Sequence, residues 1–568
     1  MRARRGTQGR LRNAPRCGLP SALPHGLVAV ALLAAPGIGC GGGSGETGGG
    51  GSSGPVRGGT VVVALGQEPE SFIPYGTRTT AASRVQGFMF RMLAETDPNF
   101  ADFSPRVARS WSWSDDHKIL TMHLRDDVYW SDGVQLTAAD VAFTWDVARD
   151  TVVAWRSGHW KRHITRCEVV DPFTVRFHFD EVFFEQFRYA KEGFLIPKHL
   201  LEDVPRAQWR TCEFARRPIG CGPFKLESYE PGQRIVLVRN ELYFDEPKPY
   251  LDRVVLEFIP EPSTRVGRLR AGSADLVPDL PLSDAAELRS ESVAARSGAR
   301  VVSVRGRGYD FIGYNSRDPL FTSRRVREAL TRAIDRQEII DALCYGFAEI
   351  FESPVVPILW AYDAQQPTTP YDPEGARRLL AEEGWRDTDG DGWLDRDGRR
   401  FEFTLITNRD NALRMQAIVP VQGYWRAIGV RANIQTFEQQ TALGLRNERK
   451  YQAYYGGWHA GLSIRSTLEA IWGCGNVDGK ANFVAYCNPT VDSLNALAAQ
   501  LLDPEEARPL FQEAQRLVAQ DHPYTWMYYD HTVVGLSKRL HGIVIDARGT
   551  LINMEDWYVP TAMQTARR

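Results

Sequence analysis

Two hydrophobic periods take turns along the chain. "GGTVVVALGQEPESFIPYG" (58–76) is a short apolar run, the length of one buried strand, that empties into a Pro- and Gly-rich loop. "ILTMHLRDDVYWSDG" (119–133) alternates apolar and polar positions and then meets Asp132-Gly133, which predicts a half-buried strand and a turn. "TAADVAFTWDVARD" (137–150) changes period: Thr137 is placed to cap a helix whose apolar positions recur at spacings of three and four. The same period predicts helices over 323–343, 373–383, 411–428 and 489–502, with strand-like "FEFTLIT" (401–407) and "VRANIQTF" (430–437) between them. Helices alternating with strands predict an α/β class, and no short-period repeat or second linker interrupts it.

Composition adds direction. The 568 residues are 43% hydrophobic and 24% charged, the balance of a globular protein with room for two or three domains. Net charge is −2, but six of the 68 Lys and Arg fall within residues 1–39 and none of the 70 acids does, so the remainder carries −8. An acidic body argues against a nucleic-acid partner, which needs a basic face. The basic start runs into "GLVAVALLAAPGIGC", a charged, apolar and small-residue order that is the layout of a secretory signal. The cysteine after small residues, Cys40, resembles the bacterial lipoprotein processing site, although Gly37 stands where that motif has leucine. Lipidation of Cys40 is expected, with "GGGSGETGGGGSSGP" (41–55) as a flexible tether that has nothing to bury.

Besides Cys17 and Cys40 there are six cysteines, an even number that in an exported chain suggests disulfides. Two pairs are local, Cys474 with Cys487 and Cys212 with Cys221, and a closed loop of about a dozen residues contributes on the order of 3 kcal/mol. His159, His163 and Cys167 recur every four residues, but "ITRCEVVDPFTVRFHF" reads as strand–turn–strand from Ile164, so the helical phase that would align them breaks. HExxH and GxxxxGK[ST] are absent, there is no GxSxG elbow (the match at 50–54 is part of the Gly/Ser tether), and nothing in the sequence calls for an enzyme. "GWRDTDGDGWLDRDG" (384–398) has the look of a calcium loop: counted from Asp387, oxygen ligands fall at Asp389, Asp391 and Asp395 with Gly392 at the sixth place. The twelfth place, which needs a bidentate Glu, is Gly398, so EF-hand switching is excluded. Two readings stay open, a plain Asp/Gly turn and a weak structural calcium site; no other cofactor is expected.

Several blocks resemble bacterial extracellular solute-binding protein family 5, the oligopeptide, dipeptide and nickel receptors of ABC importers. They are "SPRVARSWSWSDDHKILTMHLRDDVYWSDGVQLTAADVAFTW" (104–145), "RRPIGCGPFKLESYEPGQRIVLVRNELYF" (216–244), "RAGSADL" (270–276), "YNSRDPLFTSRRVREALTRAIDR" (314–336), "YDPEGARRLLAEEGWRDTDGDG" (371–392) and "NFVAYCNPTVDSL" (482–494). Their order along the chain makes the resemblance specific, and it spans Gly58 to about Pro560. It implies a two-lobed periplasmic-binding-protein fold of the large, three-subdomain type II form, closing by a hinge on a ligand held in the cleft between the lobes. The implied organisation is a signal peptide (1–39), the lipidated cysteine and tether (40–57), lobe one (58–98, 218–308 and 527–568) with an inserted subdomain (99–217), and lobe two (309–526). In the resembled family the Asp-rich loop is a turn between a helix and a strand of lobe two.

The resemblance also suggests cleft residues. With 15 Trp and 20 Tyr the chain is rich in the flat rings that such clefts use. "YYGGWHAGLSIRST" (454–467) falls where the family's cleft-lining segment should be, and Gly457 and Trp458 match it. Peptide-binding relatives carry an aspartate three residues after that tryptophan, which pairs with the peptide's ammonium; here that place is Gly461 and the nearest charge is Arg465. Position in the resemblance adds Arg78, Thr79 and Thr80 after the first strand, Asp279 as a replacement acid, and Tyr528. The expected function is a monomeric, non-catalytic, lipid-anchored receptor outside the cytoplasm that hands a peptide or peptide-like solute to an ABC permease. The alternatives are an oligosaccharide or nickel receptor of the same fold, or an exported metal-dependent hydrolase.

Overall fold

A computed structural model of the chain describes residues 54–77, 79–290, 293 and 298–564. Cys40, the tether to Ser53 and Arg78 lie outside the described residues. Local signals in the sequence are used where they stand. The Thr137 N–H donates to Asp140 Oδ2 at 2.9 Å, a reciprocal cap that opens the helix Ala138–Arg149. Asp372 accepts from Gly375 N at 2.7 Å to start Pro373–Glu382, and Asn411 accepts from Arg414 N at 3.0 Å to start Ala412–Ala427. One element differs from expectation. The stretch 323–343 is two helices, Arg324–Arg332 and Arg336–Cys344, because Asp335 leaves the helix and caps the second one through Glu338 N at 2.9 Å. A uniform apolar period hides such a break, since both helices press the same stripe on the sheet.

The strands form a mixed sheet that runs through both lobes. Its order is Arg431–Phe437, Glu402–Asn408, Ala453–His459, Ala299–Tyr314, Tyr524–Ser537, Leu276–Val277, Thr60–Leu65, Arg253–Phe258, Arg234–Arg239 and Phe224–Glu230. Two of these strands are long, and among the described residues they alone belong to both halves. Ala299–Tyr314 and Tyr524–Ser537 pair antiparallel, with residues 299–305 against 531–537 on the lobe-one side and 309–313 against 524–529 on the lobe-two side. Lobe one is closed by both ends of the chain: Val61 and Val63 share a core with Leu256, Met554, Trp557 and Val559. Lobe two has an aromatic core around Phe311, Trp472, Tyr524 and Trp526 on one face of its sheet, and Leu330, Leu405, Val421 and Trp425 on the other. A separate four-stranded antiparallel sheet, in the order Ala108–Trp113, Ile119–Leu124, Thr174–Phe179, Ile164–Asp171, packs its own core around Leu120, Trp130 and Phe177. Its strand Ile164–Asp171 follows a short 3-10 turn, Gly158–Lys161, so His159, His163 and Cys167 share no helix face. Among the described residues no helix is long and apolar enough to cross a membrane.

The cysteines require one correction. Cys474 and Cys487 are joined by a disulfide, but Cys212 and Cys221 are free. The reason is packing: Cys212 lies against the lobe-one core, whereas Cys221 is buried in the core of the inserted sheet, so nearness in sequence does not bring the two sulfurs together.

Candidate functional site

The sequence around the lobe junction reads "VRGRGYD" (304–310). Pairing between the two long strands slips there: Arg305 faces His531 and Tyr309 faces Tyr529, so Gly306, Arg307 and Gly308 bulge opposite the single residue Asp530. Both glycines are required by close approach. A Cβ on Gly306 would lie 2.9 Å from Thr532 Oγ1, and one on Gly308 would lie 2.7 Å from Asp530 Oδ2. A bulge bends its strand and re-aims the side chain it carries. Here Arg307 is directed into a cavity of about 440 Å³ between the lobes.

Most of the cavity wall comes from lobe one. The helix Thr80–Met89 turns Thr80, Ser83, Arg84 and Gly87 towards it, residues spaced to share one helix face. The segments Phe90–Thr96, Lys191–Phe194 and Asp546–Met554 supply further wall. Lys161 steadies one of these, donating to the carbonyls of Tyr189 (2.7 Å), Ala190 (3.1 Å) and Glu192 (2.7 Å) at the end of the helix Gln186–Lys191. From the other side come Arg307, His459 and Leu462. His459 pairs with Gly308 in the sheet and Ala460 N donates to Arg307 O at 2.8 Å, and the side chains of Arg307 and His459 both line the cavity. Burial, followed by the positive charges of Arg307, Arg156 and Arg84, pushes the His459 imidazole down to about 4, so it is neutral at pH 7.

Charge in the cavity is unequal. Six basic side chains line it (Arg84, Arg91, Arg106, Lys191, Arg307 and Arg548) against three acidic ones (Glu95, Glu192 and Asp546). Five of the six bases have acids of their own: Arg84 with Asp279 at 2.7 Å, Arg91 with Glu555 at 2.7 Å, Arg106 with Glu95, Lys191 with Glu192 at 3.0 Å and Arg548 with Asp546 at 2.7 Å. Arg307 has no acid within ion-pair distance among the described residues. Burial draws its guanidinium below the usual range, and the charge on Glu192 opposes that only from a distance.

A second set of contacts joins the lobes beside the cavity. Glu185 of the inserted subdomain accepts from the Ser463 hydroxyl, Glu181 pairs with Arg465 at 3.0 Å, and the Phe184 ring meets Trp360 with centroids 4.9 Å apart. Burial raises the Glu185 carboxyl above the ordinary carboxylate range, and the bond from Ser463 counters part of that.

The residues suggested by the sequence are therefore dispersed. Thr80 lines the cavity; Thr79 caps the same helix by accepting from Ala82 N at 3.3 Å. Arg465 serves the lobe contact and stacks on Phe183, outside the cavity wall. Asp279 is 59% exposed and held bidentate by Arg84, so it is no free acid for a ligand ammonium. Tyr528 is buried in the lobe-two core and donates to Asp310 Oδ2 at 3.0 Å. Gly457 is structural, because a Cβ there would lie 2.3 Å from both Asp310 Oδ1 and Arg414 Nη2, which pair across the strand at 2.7 Å. Trp458 packs with Phe311 and Phe483 under Arg446 and donates to Tyr524 Oη at 3.2 Å. Alternate residues of a strand face opposite ways, so with Trp458 in the core it is His459 that meets the cavity. Gly461 offers no charge, and the nearest atom to a Cβ there would be Thr467 Oγ1 at 3.3 Å. In the Asp-rich loop, carboxylate oxygens of Asp387, Asp389 and Asp391 lie within 4.8 Å of one another. Asp395 stands outside that group and accepts from Thr388 N and Oγ1, while Gly390, Gly392 and Gly398 take the positive φ of tight turns.

Sequence reasoning missed Arg307, His459, Arg84 and the Asp546–Met554 wall. Only the first left a usable signal, since glycines inside a strand pattern mark a bulge or a close backbone approach.

The model of the bacterial extracellular solute-binding proteins, family 5 Middle, matches residues 102–478. The chain is 30% identical over 511 residues to the oligopeptide-binding protein AppA of Bacillus subtilis, covering 89% of this chain and 92% of that protein. It is 27% identical over 509 residues to heme-binding protein A of Haemophilus influenzae, covering 85% and 89% of the two chains. Among solved structures it is similar to Bacillus subtilis AppA in complex with a nonapeptide, with a TM-score of 0.72 at 29% identity, over 89% of this chain and 100% of that one.

Proposed function

The chain belongs to the bacterial extracellular solute-binding proteins of family 5, and from that premise we propose that it is the solute receptor of an ABC importer, taking a peptide or peptide-like solute between its lobes. The observation that carries this reading is the cavity of about 440 Å³ walled by both lobes and floored by the strand bulge that joins them. Its size is that of a small-molecule site, which suits a short solute. Relatives named for oligopeptides, di- and tripeptides and glutathione support a peptide-like ligand over a sugar. Binding stabilises the closed arrangement, and a permease in the membrane reads closure. The signal-like N-terminus, Cys40 and the Gly/Ser tether support export and a lipid anchor. The missing catalytic motifs and the paired state of nearly every charge in the cavity support capture over turnover.

Two measurements test the reading. Short peptides added to the purified protein should raise its melting temperature and themselves remain uncleaved on prolonged incubation. Hydrolysis of any of them, or stabilisation by oligosaccharides alone, overturns the peptide-receptor assignment. For the anchor, Cys40→Ser should move the protein from the membrane to the soluble fraction; identical fractionation of parent and variant, with no acyl mass on the parent, removes it.

A further inference from the structure

We propose that the solute enters the cavity with a single carboxylate against Arg307 and without a free ammonium group, so that the preferred ligands are N-blocked, carboxylate-bearing molecules of net charge −1. This deepens the peptide-receptor reading and rests on it for the size and kind of solute.

Charge balance within the cavity decides which solute fits. An ion taken out of water is tolerated when a partner of opposite charge meets it, and is costly when left alone. Five cations on the cavity wall already have acids within ion-pair distance. Arg307 is the exception. It is carried on a bulge that packs too closely on the facing strand for any residue but glycine on either side of it, beside a neutral His459. An arginine fork matches the two oxygens of a carboxylate, and such charge-assisted pairs are short and strong. One unpaired guanidinium compensates one negative charge. A phosphate monoester would bring a second charge with no cation for it, which favours the carboxylate.

The same balance disfavours an ammonium. Glu95, Glu192 and Asp546 are each held by a base, Asp279 is held by Arg84, and Asp530, across the bulge, stands outside the cavity wall. A zwitterionic peptide would satisfy Arg307 and leave its own ammonium unpaired. Acylation removes that cost and keeps the carboxylate.

Calorimetry on the purified full chain decides the matter with four probes: tri-alanine, its N-acetyl form, its C-terminal amide and the doubly blocked form. N-acetyl-tri-alanine should bind at least tenfold more tightly than the doubly blocked form. It should also bind no less tightly than tri-alanine itself. Arg307→Gln should erase the tenfold preference, weakening the acid and not weakening the doubly blocked form. Arg307→Lys should keep part of the preference, which separates lost charge from a disturbed hinge. Equal binding of acid and amide, survival of the preference in Arg307→Gln, or a requirement for the free amine each overturns the inference. If none of the four binds the parent protein, the peptide reading fails. A thermal-shift series with benzoate, glutarate and maltotriose then judges the charge inference by itself. Stabilisation by a carboxylate that Arg307→Gln abolishes upholds it. Stabilisation by maltotriose alone, or by no carboxylate, overturns it.

Discussion

At residue scale, neighbours in sequence have opposite fates. Trp458 and His459 share a strand, and the period of two sends the first to the aromatic core and the second to the cavity. Trp458→Ala should therefore cost folding stability, about 2–3 kcal/mol for a partly exposed tryptophan, rather than a ligand contact. Chemical denaturation beside calorimetry separates the two; a large loss of affinity with an unchanged denaturation midpoint would place Trp458 on the ligand after all. Gly457→Ala should destabilise by about 1–3 kcal/mol, because its Cβ would fall on the Asp310–Arg414 pair. In the Asp-rich loop, Asp389→Ala with Asp391→Ala should lower the melting temperature slightly and leave affinity unchanged, since neither residue lines the cavity. Little of this is legible in the sequence. Matching Gly457 and Trp458 to a family segment finds the right strand, but which side chain meets the ligand depends on a parity set by the partner strand. The sequence pattern around residue 458 does not record it.

At element scale the sequence says more. The cap at Thr137 and the strand alternation over 119–124 are visible because they rest on a pattern only a few residues long. The break at Asp335 and the failed pairing of Cys212 with Cys221 are not, because each is decided by packing against distant parts of the chain. The bulge is the element with the most consequence for pH. Opposite it, burial first and the charge of Asp310 second push the Asp530 carboxyl up from 3.8 to about 7, while Arg414 draws it back. An acid whose folded value is raised contributes stability fully below its unfolded value and loses it as pH rises through the folded one. The contribution of Asp530 should thus fall between about pH 4 and 7. Asp530→Asn should flatten stability over that window and melt higher than the parent at pH 8. A variant whose pH profile overlays the parent's would show that Asp530 titrates normally.

For the whole molecule, the class, the order of the blocks and the two-lobed plan are legible because many weak matches in sequence order constrain one another. The closed arrangement is not, since it depends on side chains that meet only across the lobes. Arg465→Ala removes the pair with Glu181, which is partly exposed and worth at most about 1 kcal/mol. The variant should bind ligand within about fivefold of the parent, with the change in the dissociation rate, as stopped-flow fluorescence would show. A slowed association rate would argue that the pair forms before closure. The two kinds of interlobe contact differ in leverage. Arg307 sits on a strand common to both lobes, at the bulge where the two long strands cross between them. Glu181, Phe184 and Glu185 meet Arg465, Trp360 and Ser463 away from the crossing strands. If the lobes swing about those strands, as the proposed function requires, a charge near the crossing would move little, while the far contacts would be made only at the end of the swing. In the proposed receptor this sets an order of events: the solute's charge would be met with the jaws still apart, and the catch would be signalled only once they had shut.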